Sequence, residues 1–308
     1  MIYREFGNTG ITASAVGLGT WNIGNHWGAI DESTAFAVIQ SSLDAGINLF
    51  DTAETYGIPH GLSEERLGKA LSGKRHQVSI VSKVGHWGNN TNQKVPMTTR
   101  DMFVLCCHAS LYRLRTDYID VYLCHINELP EEETDLYLDG FEELKRRGLI
   151  RFYGISTDSL EVLKRFNKNH SCQAVEVEYS LINRNAENGL LDYAKENRMG
   201  VLIRGPLAKG VLSGKYNRDS AFTDTVRKNW NQGGAGRENF NWRMDRLEKI
   251  LAKIPRKELA ETAIRFTASH PAEPVSIPGA KSPEQALANA RAGDRLFDPA
   301  ELAAYQGL

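Results

Sequence analysis

The sequence reads NLFDTAETYG over residues 48–57, which places a carboxylate and a phenol five residues apart at the end of an apolar run. The apolar pair Leu49 and Phe50 predicts a short buried strand. Asp51 then falls at the carboxyl end of that strand, and Tyr56 falls in the loop beyond it. In an α/β barrel, catalytic residues gather where the strands end. The stretch therefore predicts a barrel whose chemistry lies at its carboxyl-terminal rim.

Two later apolar runs end in the same way. Residues 78–83 read VSIVSK and end in Lys83, and residues 118–125 read YIDVYLCH and end in His125. Parallel strands would bring these side chains to the same rim as the first stretch. Together they suit proton transfer to a carbonyl oxygen. A phenol with a pKa near ~10 becomes a better acid when an ammonium held by a carboxylate stabilises its phenolate, and histidine adds a donor or a second acid.

The order of Asp51, Tyr56, Lys83 and His125, set in FDTAETYG, VSKVG and YLCHIN, resembles the catalytic tetrad of the aldo-keto reductase family. Taken singly, such residues have ordinary roles as helix caps, half-buried packing or lysines that reach into water. Their shared order and spacing favour a common function. The resemblance implies direct hydride transfer from C4 of a nicotinamide to a carbonyl carbon. In that scheme Tyr56 gives the proton, Lys83 lowers its pKa, Asp51 holds Lys83, and His125 orients the carbonyl.

The composition is that of an ordinary globular protein. Of 308 residues, 41% are hydrophobic and 24% charged, and 37 Lys and Arg against 38 Asp and Glu give a net charge of −1. This balance predicts neither a nucleic acid nor a membrane surface as partner. The four cysteines lack C-x-x-C spacing and the amino terminus lacks a signal-peptide pattern, so we expect a reduced, cytoplasmic protein. No His/Cys cluster has metal-ligand spacing, so no metal is predicted.

An alternation of strand-like and helix-like segments runs through the chain. It predicts an α/β fold, a (β/α)8 TIM barrel that forms a single domain over residues 1–308, without the G-x-G-x-x-G of a Rossmann fold. An N-terminal β-hairpin should plug the bottom of the barrel, as it does in the family. Among the helices, one should begin at Asp31 as N-cap and another at Ser63 as N-cap. The predicted barrel strands are residues 15–21, 49–51, 78–83, 118–125, 150–156, 174–178, 200–204 and 274–277.

Two stretches resemble the family's dinucleotide-binding segments. Residues 204–216, RGPLAKGVLSGKY, resemble the loop along the pyrophosphate, where glycines expose backbone N–H groups and Lys209 and Lys215 offer cations. Residues 277–289, IPGAKSPEQALAN, resemble the adenosine-binding turn into a helix, whose N-terminus favours a phosphate. Lys281 would meet a 2′-phosphate there. The resemblance therefore favours NADP (NADPH) as cofactor, with NAD left open.

Three positions near the nicotinamide depart from the family pattern. Thr157 stands where the second residue of a Ser-Asn pair is frequent, Glu176 where Gln is frequent, and Arg204 where an aromatic side chain often stacks. Glu176 can accept a hydrogen bond from the carboxamide but cannot donate one, and Arg204 could stack or bind an anionic substrate group. The predicted cofactor-binding residues are Gly19, Thr20, Trp21, Asp51, Ser156, Thr157, Glu176, Arg204, Gly205, Pro206, Leu207, Gly210, Lys215, Arg227, Gly279, Ala280, Lys281, Gln285 and Asn289.

Aromatic residues of the rim loops are expected to line the substrate pocket. The candidates are Trp21, Trp27 and Trp87, together with Tyr56 and His125 of the tetrad, and each Trp could equally serve ordinary packing. The neighbouring histidines are His26, His60 and His86. This mixed lining suits a sugar-like carbonyl as well as an aryl aldehyde. The long segment 216–242 after the seventh barrel strand is either a substrate lid or a surface insertion.

The sequence therefore predicts an NADPH-dependent oxidoreductase that reduces an aldehyde or ketone, or runs the reverse alcohol oxidation. Its partner would be a small-molecule carbonyl or alcohol substrate, and its oligomeric state is open. The alternatives are an NADPH-binding redox-sensing regulatory subunit with slow turnover, and a barrel isomerase or lyase that shares only the fold. The intact tetrad disfavours the first alternative, and the dinucleotide turn at 277–289 disfavours the second.

Overall fold

The computed structural model describes residues 1–87, 95–305 and 307. Eight parallel strands follow one another in chain order, and parallel bridges from Val16 to Ser276 and from Gly19 to Gly279 bring the first and last strands together. This arrangement confirms the predicted (β/α)8 fold. The strands are β1 (Tyr3–Glu5), β2 (Thr12–Ser14), β3 (Leu18–Gly19), β4 (Leu49–Asp51), β5 (Ser79–Val84), β6 (Ile119–Cys124), β7 (Ile150–Ser156), β8 (Ala174–Glu178), β9 (Gly200–Arg204) and β10 (Val275–Ser276).

Helices follow the barrel strands and cover the outside of the sheet. The Asp31 side chain accepts a hydrogen bond from the Thr34 backbone and caps the first helix as predicted. The prediction that Ser63 caps the second helix is wrong, since that helix begins after Gly61, which has a φ of 82°. The helices are α1 (Glu32–Asp44), α2 (Leu62–Ala70), α3 (Arg100–Leu114), α4 (Thr134–Arg146), α5 (Leu160–Phe166), α6 (Leu190–Glu196), α7 (Arg237–Leu251), α8 (Leu259–Ala268), α9 (Pro283–Arg291) and α10 (Pro299–Ala303).

The hairpin of β1 and β2 closes the end of the barrel at which the parallel strands begin. Phe6 and Ile11 belong to a buried cluster with Val121 and Leu202, whose side chains fill the barrel interior. The Phe6 ring lies against Gly200, the first residue of β9, where an added Cβ would stand 2.3 Å from a ring carbon. The hairpin therefore plugs the bottom of the barrel, as the sequence predicts.

We expect Phe6→Ala to lower the free energy of unfolding by about 3–5 kcal/mol, because it empties a fully packed space beneath the barrel. Urea denaturation followed by circular dichroism measures the change. Leu105→Ala is the control, since Leu105 is 67% exposed and its truncation should cost less than about 0.5 kcal/mol. Equal, small losses in both variants would show that the hairpin does not stabilise the barrel.

The segment 216–242 is built around a packed aromatic cluster. Phe222 and Trp230 are buried, and their rings lie 5.6 Å apart. The Thr225 hydroxyl donates a hydrogen bond to the His26 carbonyl at 2.8 Å, which ties the segment to the loop after β3. The segment thus lies against the barrel mouth rather than away from it. Within residues 1–87, 95–305 and 307, no helix combines the length and apolar character needed to cross a bilayer.

Candidate active site

Lys83 is the centre of the polar cluster at the open rim. It is fully buried in β5, next to β4, whose last residue is Asp51. Its ammonium forms an ion pair with the Asp51 carboxylate and donates to the Thr52 carbonyl at 2.9 Å. It also donates to the phenol oxygen of Tyr56 at 3.4 Å. The strand register therefore brings together three of the four residues predicted to form the tetrad.

A second carboxylate faces the same ammonium. Glu176 in β8 is 1% exposed, and its Oε2 lies 3.1 Å from Lys83 Nζ. Its Oε1 accepts a hydrogen bond from the Ser156 hydroxyl at 3.2 Å. Burial raises the pKa of Asp51 well above its usual range, and Glu176 adds to the rise while Lys83 opposes it. The pKa of Lys83 is raised because its two carboxylates outweigh its burial, so the ammonium stays charged.

The environment of the Tyr56 phenol determines its protonation state. Burial raises its pKa, with smaller increases from Asp51 and Glu176, whereas Lys83 lowers it. Lys83 acts on the pKa of Tyr56 in the expected direction, but burial and the two carboxylates outweigh it, so the net pKa is raised. The phenol therefore stays protonated at neutral pH, and the Lys83 ammonium beside it stabilises the phenolate that forms when the proton leaves.

His125 follows β6 and completes the four-residue cluster. Its ring lies 5.7 Å from the Tyr56 ring in an edge-on arrangement. Burial and the nearby Lys83 ammonium hold its pKa well below the usual range, so the imidazole is neutral. Its Nδ1 is buried without a hydrogen-bond partner in the described part of the chain. A neutral imidazole can donate one hydrogen bond to a carbonyl oxygen and carries no charge that would compete with Lys83.

Glu54 and His86 support this arrangement, and the sequence interpretation gave Glu54 no role. The buried Glu54 carboxylate accepts hydrogen bonds from the backbone N–H groups of Gly85 at 2.9 Å and His86 at 2.8 Å. His86 Nε2 in turn donates to the His125 carbonyl at 2.9 Å. Burial raises the pKa of Glu54 to about 7. The only sequence feature that could have pointed to this role is the position of Glu54 inside the DTAETYG stretch. Its backbone partners lie 31 and 32 residues further along the chain, so no local pattern reveals them.

Aromatic rings form one wall beside the phenol. Trp21 stacks on Tyr56 with ring centroids 5.5 Å apart, and Trp27 meets the Trp21 ring edge-on at 5.2 Å. His26 lies 6.0 Å from Trp21, and its Nδ1 accepts the backbone N–H of Gly57 at 3.1 Å. The accepting role of Nδ1 places the ring proton on Nε2. This wall therefore offers both stacking surface and a hydrogen-bond donor.

The other predicted pocket residues lie around this wall. The ring of His60 is 6.1 Å from that of His26, and its Nδ1 bonds to the Thr55 carbonyl at 2.8 Å. Trp87 is partly buried against the hydrophobic core, and its Nε1 has no hydrogen-bond partner among the described residues. It directly precedes residues 88–94, which lie outside the described part of the chain.

The turn at 277–289 has the features expected of an adenosine phosphate site. Ser282 caps α9 by accepting a hydrogen bond from the Gln285 backbone, and the Gln285 side chain accepts one from the Lys281 backbone. Asn289 donates to the Gly279 carbonyl at 3.2 Å, and Ala280 is fully buried beside it. Helix N-termini with a nearby cation suit a phosphate.

Lys281 joins this turn to the aromatic wall, because its Nζ donates to the Trp27 carbonyl at 2.6 Å. The Trp27 ring is also covered by the guanidinium of Arg227, 5.2 Å from the ring centroid. Arg227 forms an ion pair with Asp224 and donates to the Tyr216 hydroxyl at 2.7 Å. Either cation would have to give up or share these contacts in order to bind a cofactor phosphate.

The loop after β9 also suits a dinucleotide. Three consecutive residues have left-handed backbone angles, Ala208 at φ 49°, Lys209 at 56° and Gly210 at 91°. The side chains of Lys209 and Lys215 are exposed. Gly205 and Leu207 are partly exposed on the same loop and Pro206 is buried. Exposed lysine ammonium groups and the backbone N–H groups of a tight turn are the hydrogen-bond donors that a pyrophosphate needs. The residues of this loop therefore fit the pyrophosphate of a dinucleotide.

Four predicted cofactor contacts have other partners here. Thr20 and Thr157 are fully buried, and their hydroxyls donate to the carbonyls of Asp51 and Asn127. Gly19 packs against Ile277, whose carbonyl oxygen would lie 2.7 Å from an added Cβ. Arg204 forms ion pairs with two carboxylates, which are those of Asp158 and Glu178. These two carboxylates neutralise the Arg204 guanidinium, which the sequence analysis had considered as a binding group for an anionic substrate.

Comparison with known proteins agrees with this geometry. The model of the Aldo/keto reductase family matches residues 15–308. Aldo-keto reductase YhdN of Bacillus subtilis (strain 168) is 36% identical over 293 residues, which cover 92% of this chain and 86% of that protein. The holo form of aldo-keto reductase AKR11C1 from Bacillus halodurans has a TM-score of 0.83 at 28% identity, covering 100% of this chain and 96% of that one. An aldo-keto reductase from Klebsiella pneumoniae in complex with NADPH has a TM-score of 0.72 at 27% identity, covering 100% and 95%.

Proposed function

The chain belongs to the aldo/keto reductase family, and we propose that it reduces a small, hydroxylated aldehyde or ketone to the alcohol, or runs the reverse oxidation, with Tyr56 as the proton donor and acceptor. It is an NADP-dependent oxidoreductase. The observation that carries the proposal is the contact of the Tyr56 phenol with the Lys83 ammonium, which Asp51 and Glu176 hold in place.

The residues of the rim divide the work of carbonyl reduction. When bound, NADPH supplies a hydride. The Tyr56 phenol gives its proton to the carbonyl oxygen, and Lys83 stabilises the phenolate that remains. Neutral His125 donates a hydrogen bond that orients the same oxygen. In the oxidation direction the phenolate takes the proton back from the alcohol, so one set of groups serves both directions.

The polarity of the pocket supports a small hydroxylated substrate. His26 offers its Nε2 proton, because its Nδ1 accepts from Gly57. Trp21 and Trp27 supply apolar surface on the same side of the phenol. Arg204 is already paired with two carboxylates, which disfavours a carboxylate- or phosphate-bearing substrate at that position. A short polyol-type carbonyl uses both the stacking surface and the donor.

The experiment is a panel of carbonyl compounds with NADPH, followed by the loss of absorbance at the reduced nicotinamide. The panel holds glyceraldehyde, aldoses, keto-sugars, aryl aldehydes and aldehydes that carry a carboxylate or phosphate, each with an NADH control. Preference for the small hydroxylated members supports the proposal. Preference for anionic members contradicts the substrate class, and tight NADPH binding without any turnover contradicts the enzymatic function in favour of a redox-sensing subunit.

We expect Lys281→Met to raise the Kd for NADPH by about 10- to 100-fold and the Kd for NADH by less than about twofold, because a charge-assisted phosphate contact contributes about 1.5–3 kcal/mol. Titration of the protein fluorescence with each cofactor measures both constants. The substitution also frees the Trp27 carbonyl. Thr225→Val is the control, since it releases the neighbouring His26 carbonyl without touching the 2′-phosphate site. Equal losses for both cofactors in Lys281→Met would show that Lys281 does not recognise the 2′-phosphate.

A further inference from the structure

Glu54 lies between Asp51 and Tyr56 in sequence, but its carboxylate contacts the turn after the neighbouring strand. The residue is buried, with 4% of its surface exposed. Its Oε1 accepts the backbone N–H groups of both Gly85 at 2.9 Å and His86 at 2.8 Å. Hydrogen bonds to an ionised acceptor are roughly twice as strong as those between neutral groups. Glu54 therefore fixes the turn that directly follows β5.

The backbone of this turn packs closely against the residue after His125. Gly85 has a φ of 144°, and a Cβ added there would lie 2.9 Å from Cγ1 of Ile126. Glycine loses more backbone freedom on folding than any other residue. The two hydrogen bonds to Glu54 offset that loss and keep one conformation of the turn beside Ile126. The position of the turn and the position of the segment after β6 are thus connected.

His86 connects the same turn to His125 itself. Its Nε2 donates to the His125 carbonyl at 2.9 Å, and the two rings meet edge-on with centroids 5.3 Å apart. The backbone N–H of His125 donates to the Val84 carbonyl at 2.8 Å. The backbone and the ring of His125 are therefore both held by residues 84–86, the segment to which Glu54 is bonded.

The orientation of the His125 imidazole depends on these contacts. Its Nδ1 is buried without a hydrogen-bond partner in the described part of the chain. No bond at that nitrogen fixes the ring among the described residues, so packing must do so. The rings that it meets are those of His86 at 5.3 Å and Tyr56 at 5.7 Å. Displacement of His86 would remove one of these two contacts.

We propose that Glu54 is a positioning residue for carbonyl reduction, which holds the His125 imidazole in place through the turn formed by Gly85 and His86. The inference rests on the proposed function, since it assumes that His125 orients the carbonyl oxygen. A misplacement of about 1 Å caused by a distant substitution can lower a rate about 100-fold. We expect Glu54→Met, which removes both acceptor contacts at similar side-chain length, to lower the rate of a single turnover by about 10- to 100-fold.

Two further variants separate the parts of this connection. Glu54→Gln retains a carbonyl oxygen that can accept the same two N–H groups, so its rate should stay within about fivefold of the wild type. His86→Phe retains an aromatic ring against His125 but removes the Nε2 donor to its carbonyl. It should lower the rate about tenfold. His86→Phe takes the place of Glu54→Met in the test below if the latter does not fold.

The test compares Glu54→Met in the wild-type background and in a His125→Ala background. Stopped-flow oxidation of NADPH by the best carbonyl of the panel gives the rate of a single turnover. Effects of residues that act through a shared group are not additive. Once the imidazole is absent, Glu54→Met should therefore cost less than about threefold. Phe6→Ala is the control, because it destabilises the barrel from its other end and its rate should equal that of the wild type.

Equal losses from Glu54→Met in the two backgrounds would overturn the inference, since Glu54 would then act on the fold as a whole. A rate in Glu54→Met equal to that of the wild type would overturn it as well, as would equal losses in Glu54→Gln and Glu54→Met. A wild type that oxidises NADPH with no carbonyl of the panel would instead overturn the proposed function, on which the inference rests. The two failures are distinguishable, because the second concerns the wild type alone.

Discussion

Tyr56→Phe is expected to lower kcat for NADPH-dependent carbonyl reduction by about 10³- to 10⁴-fold while leaving the Kd for NADPH within about twofold. The substitution removes one oxygen atom, the proposed proton donor, which lies 3.4 Å from Lys83 Nζ. General acid catalysis contributes up to about 10⁴-fold, and the Tyr56 phenol is in contact with the Lys83 ammonium that would stabilise its phenolate. The Phe ring retains the stacking contact with Trp21, so the wall of the pocket is preserved.

Steady-state kinetics with the best carbonyl of the panel, together with a fluorescence titration of NADPH, separates the two effects. Tyr112→Phe is the matched control, because Tyr112 is 86% exposed on α3 and the same atom is removed far from the rim. Its kcat should equal that of the wild type. Turnover in Tyr56→Phe within about threefold of the wild type would exclude Tyr56 as the proton donor.

Lys83→Met is expected to reduce the free energy of unfolding by about 3–5 kcal/mol at pH 8 and to abolish measurable turnover. Removing one partner of a buried ion pair leaves the other charge without compensation, and here two carboxylates, Asp51 and Glu176, are left facing each other. Methionine has nearly the same length as lysine, so the loss reports charge rather than volume. Turnover falls because nothing then stabilises the Tyr56 phenolate.

The stability loss in Lys83→Met should depend on pH, and the direction of that dependence follows from the two carboxyls. Without the ammonium, burial and mutual repulsion raise the pKa values of both carboxyls in the folded state above their unfolded values near ~4. A folded state that binds protons more tightly gains stability as the pH falls. The loss in Lys83→Met should therefore be largest above the folded pKa values and become smaller at pH 5.5.

Urea unfolding of wild type and variant at pH 8 and pH 5.5 measures these differences. Lys69→Met is the matched control, because Lys69 also lies between two carboxylates, Glu32 at 3.0 Å and Glu65 at 2.8 Å, but on the surface. It should lose less than about 1 kcal/mol. If Lys83→Met and Lys69→Met lower the free energy of unfolding by the same small amount, the ion pairs of Lys83 with Asp51 and Glu176 do not stabilise the fold as expected.

The sequence predicts the rim well wherever a side chain follows a strand. The apolar runs before Asp51, Lys83 and His125 predict where three strands end. Parallel pairing then places those three strand ends side by side. The hairpin plug is predictable for a similar reason, since two short strands about a glycine-bounded turn can pair only with each other before the barrel begins.

Contacts between distant parts of the chain are what the sequence does not reveal. A serine before a helical pattern predicts an N-cap, but the Ser63 hydroxyl donates to Thr20, 43 residues away, and the helix begins without it. Likewise, the ion pair between Glu176 and Lys83 and the hydrogen bond from Lys281 to Trp27 join residues far apart in sequence. Such pairs depend on barrel closure, which no local pattern encodes.

Direct transfer of hydride to the carbonyl carbon, with proton donation from Tyr56, is the reaction that we propose for this rim. The most direct measurement uses NADPH that carries deuterium on the transferable face of C4, with glyceraldehyde as the carbonyl, and mass spectrometry of the alcohol formed. We predict one deuterium on the carbinol carbon of the wild-type product and no product above background from Tyr56→Phe. Product that contains no deuterium, or labelled product formed equally fast by Tyr56→Phe, would contradict the claim.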